Sequence, residues 1–232
     1  SIATGDARYA LLTYEQFKSI PLSQETFQSH MEAEISDLRA HLDAAIAGSD
    51  EAKALKRAFK AREKTLLRFA ARYGEVWARA TATGDAPIMW DDLGVDLLVY
   101  DEAHYVKNDM FSTHMTNIAG LPRAESHRAF DARVKAHVTM HRGGVLIGLT
   151  GTPITNTLAE AWIMMRLFQP GTLRRLGLQH FDAWASTFAE PYVSVEMDSV
   201  GKFRTQTRLK FQNIPELLNI LAEAWDRAET EE

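Results

Sequence analysis

The chain has 232 residues, 46% of them hydrophobic and 25% charged, a formal net charge of −5, and no cysteine. That is enough for one α/β domain with an embellishment, or for two small domains, each burying a core. It excludes disulfides, thiolate metal sites, a globally basic field and a membrane-spanning helix, since no apolar run approaches ~20 residues.

Residues 9–14 carry a short apolar core, Ala10-Leu11-Leu12, and read as a buried strand. Over residues 23–77, Phe27, Met31, Ile35, Leu38 and Leu42 recur at steps of three and four. After a break at Gly48-Ser49-Asp50, Leu55, Phe59, Leu66, Phe69, Tyr73 and Val76 resume the stripe, with Arg62 in one expected apolar slot. Two amphipathic helices in an antiparallel hairpin satisfy this pattern. The first is rich in acids (Glu25, Glu32, Glu34, Asp37, Asp43) and the second in bases. Mutual attraction of the two helices is one reading of that asymmetry. A basic ridge for DNA phosphates, with Lys53, Lys56, Lys60 and Lys64 as candidate contacts, is the other.

Residues 81–87 read as a linker. The run from Gly94 to Tyr100 is nearly all apolar, the pattern of a central parallel strand covered on both faces, and residues 144–149 repeat it. Between them, residues 125–141 read as a helix with Phe130, Val134, His137 and Val138 on one side. Residues 158–168 form another apolar helix, stopped by Pro170-Gly171. Residues 192–208 alternate like two strands around a turn at 198–201, and a helix is expected from Asn213 to about Arg227. Strands alternating with helices imply an α/β sheet with crossover connections, whose ligands bind at the carboxyl ends of the strands.

Both strand ends carry chemistry. After the first come Asp101-Glu102-Ala103-His104 and then Lys107-Asn108. One carboxylate can hold the Mg²⁺ that bridges nucleotide phosphates, and the next can deprotonate the attacking water. After the second strand come Thr150-Gly151-Thr152-Pro153 and Asn156, a tight turn offering hydroxyls at the same sheet edge. Either loop alone would pass for an ordinary strand end; the two together specify a nucleotide site.

Residues 97–108 resemble the Walker B segment, motif II, of superfamily 2 helicases, and Lys107-Asn108 is similar to the Swi/Snf-type branch. Residues 149–156 resemble that branch's motif III. The resemblance implies a DEAH-type ATP-dependent DNA helicase or translocase with ATP and Mg²⁺ as cofactors and DNA as partner. It makes Asp101 the magnesium ligand, Glu102 the catalytic base, and His104, Thr150 and Thr152 the link to the DNA track, with Asn156 in support. Thr13-Tyr14-Glu15-Gln16-Phe17, residues 181–184 and residues 210–217 resemble the motor of large phage and mobile-element helicase–methylase proteins. That narrower likeness implies the cytoplasm of a prokaryotic cell or phage-infected host.

The expected fold is therefore a partial RecA-like P-loop NTPase domain, a parallel sheet with flanking helices, carrying an α-helical hairpin insertion. Residues 1–22 and 81–190 would form the later part of the first motor domain, residues 23–80 the insertion, and residues 191–232 a hairpin and helix leading towards a second motor domain. The chain starts on Ser1 and contains no Gly-Lys-Ser or Gly-Lys-Thr phosphate loop. It reads as an excised piece, inactive alone, of a parent that supplies a Walker A segment, a second motor domain with an arginine finger, and a methylase domain. A non-catalytic DNA-binding or protein-interaction module on a helicase-derived scaffold is the alternative. A metal-dependent hydrolase built on Asp101, Glu102, His104 and His114 is disfavoured, because its histidines are scattered along the chain.

Overall fold

A computed structural model describes residues 8–46, 48–83, 88–109, 111–115, 118–121, 126–155, 157–197 and 203–227. The first element is a helix, α1 (Tyr14–Ser19), where a strand was expected. The Thr13 hydroxyl accepts from Gln16 N–H while the Gln16 side chain accepts from Thr13 N–H, a reciprocal cap that satisfies two otherwise orphaned donors. Residues 8–13 form no strand, and Tyr9 and Leu11 are 89% and 97% exposed. Six residues of mixed pattern do not outweigh a cap that fixes the helix start.

Two long helices follow, α2 (Gln24–Ala44), capped by Ser23, and α3 (Asp50–Thr83). Trp77 bonds the Leu22 carbonyl near one end and Arg62 bonds Glu34 near the middle, so the pair is antiparallel. Phe27 and Met31 of α2 bury against Leu66, Phe69 and Tyr73 of α3. Helix α3 overruns the expected stop at Trp77 into the supposed linker, because Ala and Thr there leave nothing to break it; residues 84–87 fall outside the described part.

The parallel pair β1 (Leu97–Tyr100) and β2 (Val145–Gly148) is joined through α4 (His127–His141), which Ser126 caps. Leu98 and Tyr100 turn into the core with α4, and the ring of Phe168 lies so close over Gly148 that no side chain fits there. The other face stays open: Leu97, Val99, Val145 and Ile147 are 54%, 46%, 55% and 41% exposed. Of the two covered faces expected, one is covered among the described residues, whose helices pack on one side of a two-stranded sheet.

Next come α5 (Ala159–Phe168), α6 (Pro170–Arg175) and α7 (Phe181–Phe188). Pro170 does not simply end α5; it opens α6 at the first position, where its missing N–H costs nothing. Trp162, Phe181, Trp184 and Phe188 make a second core with these helices. The antiparallel strands β3 (Ala189–Met197) and β4 (Phe203–Phe211) pair from Ala189↔Phe211 to Met197↔Phe203. The turn expected at residues 198–201 lies outside the described residues. Last is α8 (Ile214–Leu221), shorter than expected: the chain turns after Leu221, and Trp225 packs between the two cores.

Arg62, in its apolar slot, is fully buried and bonds Glu34 at 2.6 Å. Arg133 of α4 reaches Glu34 at 2.9 Å and Asp109 at 2.6 Å, and Arg166 of α5 reaches Asp109 at 3.1 Å. Burial alone would raise the Glu34 carboxyl, but Arg62, Arg133 and Arg166 outweigh it and hold it well below the usual range. This network clamps the helical hairpin onto α4 and α5. No described helix is long and apolar enough to cross a membrane.

Candidate functional site

Because β1 and β2 run parallel, their carboxyl ends open on the same edge. Leu149 N–H bonds the Tyr100 carbonyl and Ala103 N–H bonds the Leu149 carbonyl, both at 2.8 Å, so the two loops leave the sheet side by side. Glu102 sits in the left-handed region (φ 51°, ψ 53°), a strain of order 1–3 kcal/mol for a non-glycine residue of the kind found at functional sites. It begins a short 3-10 turn over Ala103–Val106.

His104 Nδ1 lies 3.0 Å from Glu102 Oε2 and 3.2 Å from Thr150 Oγ1. Thr152 N–H donates back to Thr150 Oγ1 at 3.1 Å. One imidazole thus touches both strand-end loops. Asp101 and Glu102 are exposed. Glu102 is engaged by His104, whereas the Asp101 carboxylate has no described side-chain partner. An exposed carboxylate of this kind could hold Mg²⁺, an ion held through one or two carboxylates, its own waters and substrate phosphates. Gly151 and Thr152 are exposed and Pro153 half-buried; Asn156 lies outside the described residues.

The tail of the first loop is pinned to the second. Lys107 Nζ donates to Glu160 at 3.2 Å and also to the Thr155 hydroxyl, and Thr155 N–H donates to Glu160 at 2.6 Å. Lys107 and Glu160 are both buried. Asn108 is exposed, and its carbonyl accepts from Ser126 N–H. His114 is not part of this constellation: it lies 3.0 Å from Asp182 and 3.7 Å from Glu51. Among the described residues no group of three or more histidines and carboxylates could hold a metal ion. Lys53, Lys56, Lys60 and Lys64 are exposed on α3.

Sequence reasoning missed two residues. The Tyr14 hydroxyl donates to the Asp101 carbonyl at 2.7 Å, and its ring packs on Tyr100 and Tyr105. Burial, then the nearby Asp101 charge, pushes the Tyr14 phenol up to about 12, so it stays a donor. The signal was the Thr13/Gln16 capping pair, which places Tyr14 at a helix start. Glu160 was the other, an acid inside the apolar run of α5, where a charge persists only if paired.

Fold and site together define a mixed α/β domain with acid- and hydroxyl-bearing loops at one edge of a parallel sheet. A family model described as "Probable helicase domain" matches residues 2–228, and the chain belongs to that family. No curated protein and no solved structure matches it.

Proposed function

We propose that this helicase-family chain contributes motifs II and III of a Swi/Snf-like, DEAH-type motor that hydrolyses Mg-ATP and moves on DNA. The supporting observation is His104 bridging Glu102 of one loop and Thr150 of the other. Asp101 would hold the magnesium ion, which neutralises phosphate charge when bound. Glu102 would take the proton of the attacking water, and the loss of its charge would weaken its bond to His104. His104, Thr150 and Thr152 would carry that change into the second loop, with Gly151, Pro153 and Asn156 shaping it. Lys107, bound to Glu160, and Asn108 fix the tail of motif II.

The sheet would then belong to a partial RecA-like domain (residues 1–22 and 81–190), with residues 23–80 inserted and residues 191–232 leading onward. The open sheet face and exposed residues 9–12 are surfaces that further strands and helices of such a domain would cover. The phosphate-binding Lys and the Arg finger would come from segments beyond these residues, as in the helicase–methylase proteins of phages and mobile elements, which act in the cytoplasm. A DNA-binding module on a helicase scaffold is the competing reading, favoured by the exposed bases of α3. DNA-stimulated ATP turnover of the protein carrying a phosphate loop decides between them. Glu102→Gln should reduce turnover by about 10²–10⁴-fold, the usual worth of a general base. Unchanged turnover would remove Glu102 from the mechanism.

A further inference from the structure

Helix α3 buries Leu55, Arg62, Leu66, Phe69 and Tyr73 along one line. At 100° per residue, Lys53, Arg57, Lys60, Lys64 and Arg68 fall within about 40° of the opposite line. All five are exposed. The acids of α2 do not neutralise them: Glu34 is drawn inward by Arg62 and Arg133, Asp37 faces His180, and Lys53 pairs with Asp50 on its own helix. The mutual-attraction reading of the two helices therefore accounts for Arg62 alone among these bases. Glu63 is the one acid within the span, and it sits half-buried on the flank.

One turn beyond Arg68, and about 80° round the helix from the stripe, Arg72 lines a cleft of about 280 Å³ between α3, α1 and the start of α4, with Lys18, Tyr73 and His127 among others. Glu15, at the rim, pairs with Lys18 at 2.9 Å. Burial, then the charges of Arg72 and Lys18, drives the His127 imidazole down to about 4, which keeps it neutral there. Beside the cleft, Arg128 lies over the half-exposed Tyr105 ring, 5.7 Å from its centre. Tyr105 in turn packs on His104 and Tyr14. From Lys53 to Arg68 the stripe runs about 22 Å at 1.5 Å per residue, roughly two-thirds of one turn of a DNA duplex.

We propose that Lys53, Arg57, Lys60, Lys64 and Arg68 form a track for the phosphodiester backbone of a nucleic acid, which ends in the Lys18–Arg72 cleft next to the strand-end loops. The choice of a nucleic acid as partner rests on the helicase reading; the track itself rests on the geometry of α3. A basic line of this length opposite a buried seam matches evenly spaced negative charge, and the mainly aliphatic and cationic surface predicts sequence-independent binding.

The test is fluorescence anisotropy of a labelled DNA duplex with this chain, without nucleotide, between about 50 and 200 mM salt. Wild type should lose roughly 10³-fold in affinity over that range, as expected for about six phosphate contacts. Lys60→Gln/Lys64→Gln should lower the salt slope by roughly 2, and Arg72→Gln by roughly 1, with unchanged circular dichroism, while Lys210→Gln on β4 should bind as wild type. Variants on α3 that bind like wild type would overturn the proposal. So would polyglutamate binding as tightly as DNA, which would make the stripe a general acidic-partner surface. Turnover does not enter this measurement, so failure of the track and failure of Glu102 as base are read separately.

Discussion

At the scale of the residue, the site depends on how two adjacent carboxylates are aimed. Glu102 holds a backbone conformation that its side chain disfavours, and three bonds around it keep it there: Tyr14 to the Asp101 carbonyl, Ala103 to Leu149, and His104 to its carboxylate. Tyr14→Phe removes the first without changing shape. It should cost about 1 kcal/mol in urea unfolding, the usual net value of one hydrogen bond. A cost near zero would mean that the strained turn stands without Tyr14. The place of Asp101 and Glu102 at a strand end was legible because two adjacent acids end an apolar run. Tyr14 was not, because its partner is a carbonyl distant in sequence, and a backbone acceptor leaves no trace in residue type.

At the scale of the element, α2 and α3 are held by charge as well as by their seam. Glu34 faces Arg62, Arg133 and Arg166, with Asp109 behind them. Glu34→Gln would leave buried guanidinium groups short of a counter-charge and should destabilise the fold by about 3–5 kcal/mol. Lys53→Ala, at an exposed end of the same hairpin, should stay within about 0.5 kcal/mol. Equal small effects from both would show that the network carries no weight. The helices themselves were plain from three- and four-residue spacing. The network announced itself only as one misfit, Arg62, and its partners on α4 and α5 lie far along the chain. The strand expected at residues 9–14 failed for the opposite reason: a local cap, readable in Thr13 and Gln16, was stronger than a weak apolar pattern.

At the scale of the whole molecule, two cores meet around Trp225, and polar groups are locked between α4 and α5. His137 Nε2 lies 3.0 Å from the Arg166 carbonyl. Burial, then the Arg133 charge, depresses its imidazole to about 3. A histidine kept neutral in the fold stabilises fully above its unfolded pKa of ~6.5, and that stability is lost as pH falls towards 3. His137 alone should therefore remove about 2 kcal/mol between pH 7 and pH 5, and His137→Gln should flatten the profile in urea unfolding. An unchanged profile would place that titration elsewhere. The parallel pairing of β1 and β2 followed from their apolar runs, but the open face did not, since a continuous run cannot say which side finds a cover.

The most direct measurement is DNA-stimulated ATP turnover by the protein bearing a phosphate loop, with Glu102→Gln and His104→Ala compared side by side. If the two loops form one coupled machine, Glu102→Gln lowers turnover by about 10²–10⁴-fold with and without DNA, while His104→Ala loses the stimulation by DNA. Turnover equal to wild type in Glu102→Gln, or full DNA stimulation in His104→Ala, would contradict it.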